Sequence, residues 1–152
     1  MLFYTHIVIG IVFFLLLKDY FTGGNEIIFF ILVLLGSVLP DIDDGKSKIK
    51  KASGILGSMI SFLFKHRGIF HSLIFALGLF FLTKYVWRGY YAWGLFIGYL
   101  AHLLGDALTP MGIQFLYPFS SWKIRGPIKV GSLGEKVILF SLIILVIKEL
   151  FF

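Results

Sequence analysis

The chain contains no cysteine and little charge, because Asp, Glu, Lys and Arg make up only 14% of its 152 residues. The absence of cysteine excludes disulfides, thiolate metal sites and thiol nucleophiles. Any metal must therefore be bound by imidazole and carboxylate groups, which the four histidines and eight acidic residues supply. No Lys or Arg precedes the first apolar run and no small-residue cleavage site follows it, so a signal peptide is not predicted.

Apolar residues are abundant instead. They make up 59% of the chain, and the mean hydropathy is +0.95. A soluble domain has about 45–50% apolar residues, and a single core of this size cannot bury the excess. We therefore predict one membrane-embedded domain over residues 1–152, surrounded by membrane lipids. The net charge of +6 comes from basic residues between apolar segments, which is typical of a membrane surface, so no nucleic-acid partner is expected.

Five apolar segments predict an all-α, polytopic membrane bundle of about five transmembrane helices. They cover residues 1–17, 27–39, 69–86, 91–108 and 137–152. An upright crossing needs about 20 residues, so the first two segments are short. Residues 52–64 would form a helix of only about 20 Å. We predict that this segment lies in the interface or re-enters the membrane; if it crossed, everything after it would change sides.

The basic residues predict the orientation. With five crossings, ten of the fourteen Lys and Arg residues fall on one side, within residues 41–68 and 109–136. The positive-inside rule places that side in the cytoplasm. The sequence therefore predicts an inner-membrane protein whose N-terminus is inside the cell.

Most histidines and acidic residues fall at the cytoplasmic ends of these predicted helices, although they did not enter the topology prediction. Ionisable groups inside a membrane cost about 2.5–3.5 kcal/mol each near its centre, and neighbouring carboxylates repel each other. A divalent cation reverses that repulsion and accepts neutral imidazole as a further ligand. The pattern predicts a metal site facing the cytoplasm, with the candidates His6, Asp41, Asp43, Asp44, His66, His71, His102, Asp106 and Glu135.

Two motifs carry most of this prediction. His102 and Asp106 are four residues apart, so both side chains can reach one ion from one helix face. The alternative is a hydrogen bond between them at a helix end. Asp41 and Asp43 stand two apart in an acidic turn and share a direction if the turn is extended. The alternative is a solvated turn whose aspartates face the lysines that follow.

A third motif places His66 and His71 around Arg67. On a straight helix, two side chains five positions apart point in directions that differ by about 140°. Gly68 is therefore expected to break the helix between His66 and His71. Arg67 suits a phosphate group, because its guanidinium is always charged and binds in bidentate fashion. The alternative is that these basic side chains extend to the membrane interface.

His6 and Glu135 are open to plainer interpretations. His6 is also consistent with a polar residue near a chain end. Glu135 closes the pattern Ser132-Leu-Gly-Glu135, which is typical of a capping box whose glutamate serves the backbone. An aromatic loop over residues 115–122 fits either a lip for a lipid substrate or an interfacial anchor.

Together the motifs resemble the YdjM-like family of predicted membrane-bound metal-dependent hydrolases. The resemblance rests on Pro40-Asp41-Ile42-Asp43, His66-Arg67-Gly68 with His71-Ser72, His102 with Asp106, and Thr109-Pro110 with Gly112. That family is similar to zinc-dependent phospholipase C and to zinc-dependent single-strand nucleases, which hold several zinc ions with His, Asp and Glu. The resemblance implies metal-ligand roles for His6, Asp41, Asp43, His66, His71, His102, Asp106 and Glu135.

The sequence thus favours a metal-dependent hydrolase that cleaves a phosphoester, with a lipid headgroup as a candidate substrate. The metal would lower the pKa of a bound water toward about 7, Asp43 would act as general base, and Arg67 would stabilise developing charge. Zinc fits nitrogen and oxygen ligands, and manganese or iron fit them too. Two alternatives stay open: a non-catalytic metal-binding regulatory protein, and an ion or proton transporter, whose titratable groups should be spread across the membrane.

Overall fold

The computed structural model describes residues 1–43, 54, 68–87 and 89–151, and this part of the chain forms five α-helices. They are α1 (Phe3–Leu17), α2 (Glu26–Val38), α3 (Leu73–Val86), α4 (Gly89–Ala107) and α5 (Leu133–Phe151). Short 3-10 turns cover Lys18–Tyr20, Leu39–Asp43 and Ile69–His71. The described residues contain no strand, only an antiparallel bridge between Ile113 and Ile124. The all-α prediction is confirmed.

The predicted number of membrane crossings is supported only in part. By length and composition, one helical stretch of the described residues, Phe3–Tyr20, can cross a membrane, whereas α3 is apolar but shorter. α2 has 13 residues, which make about 20 Å, and α5 has charged residues near both ends. The five predicted crossings are therefore not confirmed, because apolar runs in the sequence overstate helix length and overlook the polar residues within the helices. The predicted interfacial segment at residues 52–64 lies outside the described residues, apart from Gly54.

Helix α4 lies at the centre of the fold. It packs against α1, α2 and α3, while α5 packs against α1. Eleven of its 19 residues are buried, including His102 and Asp106. The apolar core around it includes Phe29 and Val33 on the α2 side and Leu103 in α4 itself. The side chains of His102 and Asp106 therefore face the interior of the bundle.

Glycines bring α2 and α4 into backbone contact. A Cβ atom at Gly98 would lie 1.9 Å from the carbonyl oxygen of Val33, and one at Gly36 would lie 2.2 Å from that of Leu95. Only residues without a side chain permit so close an approach, as in many membrane helix pairs. Because His102 follows Gly98 by one helical turn, this contact sets the distance of His102 from α2.

The outer faces of the bundle are apolar. Ile27 on α2, Phe81 on α3 and Phe140 on α5 are 70%, 62% and 66% exposed. Water disfavours large contiguous apolar surfaces of this kind, which mark contact with a membrane or with another protein.

Candidate metal centre

Five of the predicted site residues meet at one end of the bundle. His6 comes from α1, Asp41 and His71 from two 3-10 turns, and His102 and Asp106 from α4. The four residues other than Asp41 are at most 1% exposed, whereas the Asp41 side chain is 16% exposed. We refer to these five residues as the His–Asp cluster; it is buried and opens to the outside at Asp41.

Four ligand atoms converge within the His–Asp cluster. His102 Nε2 lies 3.3 Å from His71 Nε2, and each of these nitrogens lies 3.7 Å from Asp41 Oδ1. Asp106 Oδ2 lies 3.6 Å from His71 Nε2 and 3.9 Å from His102 Nε2. A tetrahedral zinc site spaces its nitrogen and oxygen ligands about 3.3 Å apart. The distances from each carboxylate oxygen to both histidine nitrogens are therefore close to those of such a site.

The tautomer of His102 is set by α2. His102 Nδ1 lies 2.8 Å from the carbonyl oxygen of Ser37. Because a carbonyl oxygen can only accept, Nδ1 carries the proton and donates it. Nε2 of neutral His102 therefore keeps its lone pair and directs it at the cluster, which is how the second hydrogen bond of a metal-ligating histidine usually acts.

The charges of the cluster suit a divalent cation. Burial alone would raise the pKa of Asp41, but the hydrogen bond from His71 and the charges of the neighbouring histidines lower it to about 2. Asp41 is therefore ionised at neutral pH. With Asp106, the cluster places two carboxylates beside two imidazoles, and a dication bound there would balance two negative charges that burial otherwise makes costly.

His6 lies against this centre. Its ring stacks on His102 with a centroid distance of 3.9 Å and an interplanar angle of 13°. Its Nε2 lies 3.4 Å from Asp106 Oδ1, and neither ring nitrogen has a hydrogen-bond partner among the described residues. Gly105 permits this position, because a Cβ atom there would lie 3.1 Å from the His6 ring. The amino group of Met1 also contacts Asp106 Oδ1.

His102 belongs to both candidate metal-binding groups of the cluster. Ligand atoms of His71, His102 and Asp106 lie within 4.8 Å of one another, and so do those of His6, Asp41 and His102. Both groups include His102, whose Nδ1 is occupied by the Ser37 carbonyl. The two groups must therefore share the single free nitrogen of His102.

Local hydrogen bonds hold the ligands in place. The Ser72 hydroxyl caps α3 by accepting from the Phe75 N–H at 3.1 Å, and it donates to the Ile69 carbonyl at 2.7 Å. The Tyr99 hydroxyl of α4 donates to the carbonyl oxygen of Phe70. The bonds from Ser72 to the Ile69 carbonyl and from Tyr99 to the Phe70 carbonyl fix the turn that carries His71. The position of this ligand is therefore set by α3 and α4 together.

Glu135 lies outside the cluster and binds backbone. Its carboxylate accepts hydrogen bonds from the Leu2 N–H at 2.6 Å, the Thr5 hydroxyl at 3.0 Å and the Gly131 N–H at 2.6 Å. Burial would raise its pKa, but these bonds lower it. The Ser132 hydroxyl accepts from the Glu135 N–H at 3.4 Å, as in the capping interpretation. Glu135 thus ties the start of α5 to the start of α1, and its ligand role stays a prediction.

The remaining predicted site residues are not placed. Asp44, His66 and Arg67 lie outside the described residues, and Asp43 ends the turn Leu39–Asp43 without a described side chain. Their roles as ligand, general base or phosphate-binding group stay predictions.

Two features of the site were missed from the sequence. The first feature is the Ser37 carbonyl, which is a backbone group that no side-chain pattern predicts. The second feature is the helix contact at Gly98, which positions His102. Gly98, His102 and Asp106 are spaced by four residues on one helix face, and that spacing was the available signal.

An all-helical bundle with apolar outer faces and a buried His–Asp cluster defines a helical membrane protein with a candidate metal centre. The chain belongs to the family described as YdjM inner membrane protein, whose match covers residues 1–150. This confirms the family to which the sequence was assigned, and it supports the membrane location.

Two relatives illustrate the similarity. Over 126 residues the chain is 36% identical to the uncharacterized protein YvsG of Bacillus subtilis, covering 81% of this chain and 78% of that protein. Over 111 residues it is 38% identical to inner membrane protein YdjM of Escherichia coli, covering 68% of this chain and 56% of that protein. The match thus spans little more than half of the latter protein's length. No solved structure matches the chain.

Proposed function

We propose that this protein is a membrane-bound, metal-dependent hydrolase that cleaves a phosphoester, with a phospholipid headgroup as the leading substrate class. The observation that carries the proposal is the convergence of His71, His102, Asp41 and Asp106 at distances of 3.3–3.9 Å in a buried site. Two neutral imidazoles and two carboxylates match zinc, with manganese or iron as further candidates. Such a centre supplies Lewis acidity and lowers the pKa of coordinated water toward ~7.

The side chains around the candidate metal centre have separate roles in this proposal. His102 is held in the ligating tautomer by Ser37, and His71 by the turn that Tyr99 and Ser72 fix. His6, which has a ring nitrogen 3.4 Å from Asp106 Oδ1, can hold a proton beside the centre. Asp41, the partly exposed member of the cluster, marks the side from which substrate approaches.

We also propose that the site faces the cytoplasm and that the N-terminus is inside. This rests on the ten Lys and Arg residues within residues 41–68 and 109–136, because basic loops are retained in the cytoplasm. Arg67 and Asp43 belong to the first of these stretches, where we assign them to phosphate binding and to general-base catalysis.

The first test is metal content. The protein is purified in detergent and its zinc, manganese and iron are measured by elemental analysis, together with Asp41→Asn and the matched control Asp19→Asn. Asp19 is exposed in the turn Lys18–Tyr20 and lies outside the His–Asp cluster. About one metal per chain is expected in the wild type and the control, with a clear loss in Asp41→Asn. Equal metal content in all three would overturn the site.

The second test is turnover. The same preparations are incubated with bis(p-nitrophenyl) phosphate and with phosphatidylglycerol vesicles, with and without a chelator. Product release that the chelator abolishes and added zinc restores supports a hydrolase. Stoichiometric metal without any release would overturn catalysis and favour a regulatory metal-binding protein.

A further inference from the structure

An apolar groove runs along α3 beside the metal centre. Its cavity has a volume of about 330 Å³, within the range of small-molecule sites. Among the described residues, the lining consists of apolar side chains and one glycine: Ile69, Ile74, Phe75, Gly78, Leu79 and Leu82. No side chain in this set can hydrogen-bond a ligand, so the groove does not suit a polar molecule.

The groove begins at the turn that holds a metal ligand. Ile69 is the first residue of the 3-10 turn that ends at His71. Phe75 in the groove packs on Phe70 of that turn, with ring centroids 4.6 Å apart, and the Phe70 carbonyl accepts from Tyr99. One end of the groove is therefore joined to the turn that supplies His71, and the other end lies two turns further along α3.

Gly78 is an exposed glycine in the lining of the groove. A Cβ atom at this position would meet no atom of the described residues within 4 Å, whereas at Gly98 it would collide with α2. Glycine inside a helix is destabilising relative to alanine. At Gly98 backbone contact explains that cost. At Gly78 no contact in the described part of the chain explains it, and the missing side chain leaves room for a ligand.

We propose that this groove binds one acyl chain of a lipid whose phosphoester headgroup reaches the His–Asp cluster, so that Gly78 determines the preference for long-chain substrates. The occupant is hydrocarbon because the lining is apolar and the family resides in a membrane. It is elongated because the lining from Ile74 to Leu82 follows the helix for about 12 Å. The assignment of a reacting headgroup rests on the proposed hydrolase function; binding of the acyl chain does not.

The test compares Gly78→Phe, which fills the groove, with Leu77→Phe, which adds the same ring at a neighbouring exposed position outside the lining. For each protein, kcat/KM is measured on dioleoyl phosphatidylglycerol and on bis(p-nitrophenyl) phosphate. The ratio of the two values is expected to fall at least tenfold in Gly78→Phe and to stay within twofold of the wild type in Leu77→Phe. An unchanged ratio in Gly78→Phe would overturn the proposal.

A second readout does not need turnover. Phosphatidylglycerol with a diazirine on its acyl chain is photolysed with each protein, and the labelled peptides are mapped by mass spectrometry. Labelling of residues 69–82 in the wild type that is lost in Gly78→Phe supports acyl-chain binding, even if neither phosphoester is cleaved and the hydrolase proposal fails. Labelling that is absent from this segment, or that is equal in both proteins, overturns it. So do chemical cross-links that show a second copy, or residues 44–67 of the same chain, occupying the groove.

Discussion

Replacing Gly98 by alanine should weaken metal binding although no ligand is changed. The added Cβ would lie 1.9 Å from the Val33 carbonyl oxygen, and real contacts of this kind essentially never fall below 3.0 Å. α2 and α4 must therefore separate locally by about 1.1 Å. His102, one turn further along α4, would move from Ser37 and from the ligands outside α4. Metal sites tolerate deviations of only about 0.2 Å.

The magnitude follows from two effects. Overpacking of a core costs about 1–3 kcal/mol of folding stability. Disturbing the hydrogen bond that orients a ligating histidine lowers metal affinity about 10–100-fold. We therefore expect Gly98→Ala to unfold at a lower temperature and to bind zinc at least tenfold more weakly.

The assay is zinc competition against a chromophoric chelator, with thermal unfolding followed in the same detergent. The control is Gly78→Ala, the same chemical change where a Cβ meets no atom within 4 Å. It should bind zinc normally and gain up to about 1 kcal/mol of stability. If Gly98→Ala does not fold, Gly36→Ala replaces it, because its Cβ would lie a less severe 2.2 Å from the Leu95 carbonyl oxygen. Wild-type zinc affinity in a folded variant at either position would refute the reasoning.

Four further predictions test stability, metal binding and topology. Glu135→Gln removes an acceptor from the Gly131 N–H and should lower the free energy of unfolding by about 1–3 kcal/mol, as measured by chemical denaturation. An unchanged midpoint would contradict the role of Glu135 in tying the start of α5 to the start of α1. Because the folded pKa of Glu135 lies below its ordinary value of 4.5, its stabilisation is present above that pH and lost as pH falls through the folded pKa. The difference between wild type and Glu135→Gln should therefore shrink in acid, and a constant difference would argue against it. Zinc at 100 times its Kd should stabilise the wild type by about 2.7 kcal/mol and leave Asp106→Asn unaffected, which thermal shifts with and without chelator can check. The cysteine-free chain allows single-cysteine labelling: Lys123→Cys should react from the cytoplasmic side and Lys84→Cys from the other, and labelling from one side would contradict the predicted topology.

Sequence by itself determined what depends on local spacing and composition. The spacing of four positions from His102 to Asp106 places both side chains on one face of α4, whatever the rest of the chain does. The absence of cysteine limited the ligands to imidazole and carboxylate, and the excess of apolar residues required a membrane. The family match covering residues 1–150 agrees with the motifs that suggested it.

Only the tertiary structure decided which distant groups meet. His6 reaches His102 because Gly105 leaves room for its ring, and His102 reaches Ser37 because Gly98 permits helix contact. Glu135 has the same chemistry as a ligand, yet its oxygens face backbone N–H groups and the Thr5 hydroxyl. Helix lengths likewise depend on where turns interrupt the apolar runs, and by length and composition one helical stretch of the described residues can cross a membrane. Contacts between residues a hundred positions apart depend on how helices pack, and a linear pattern does not contain that geometry.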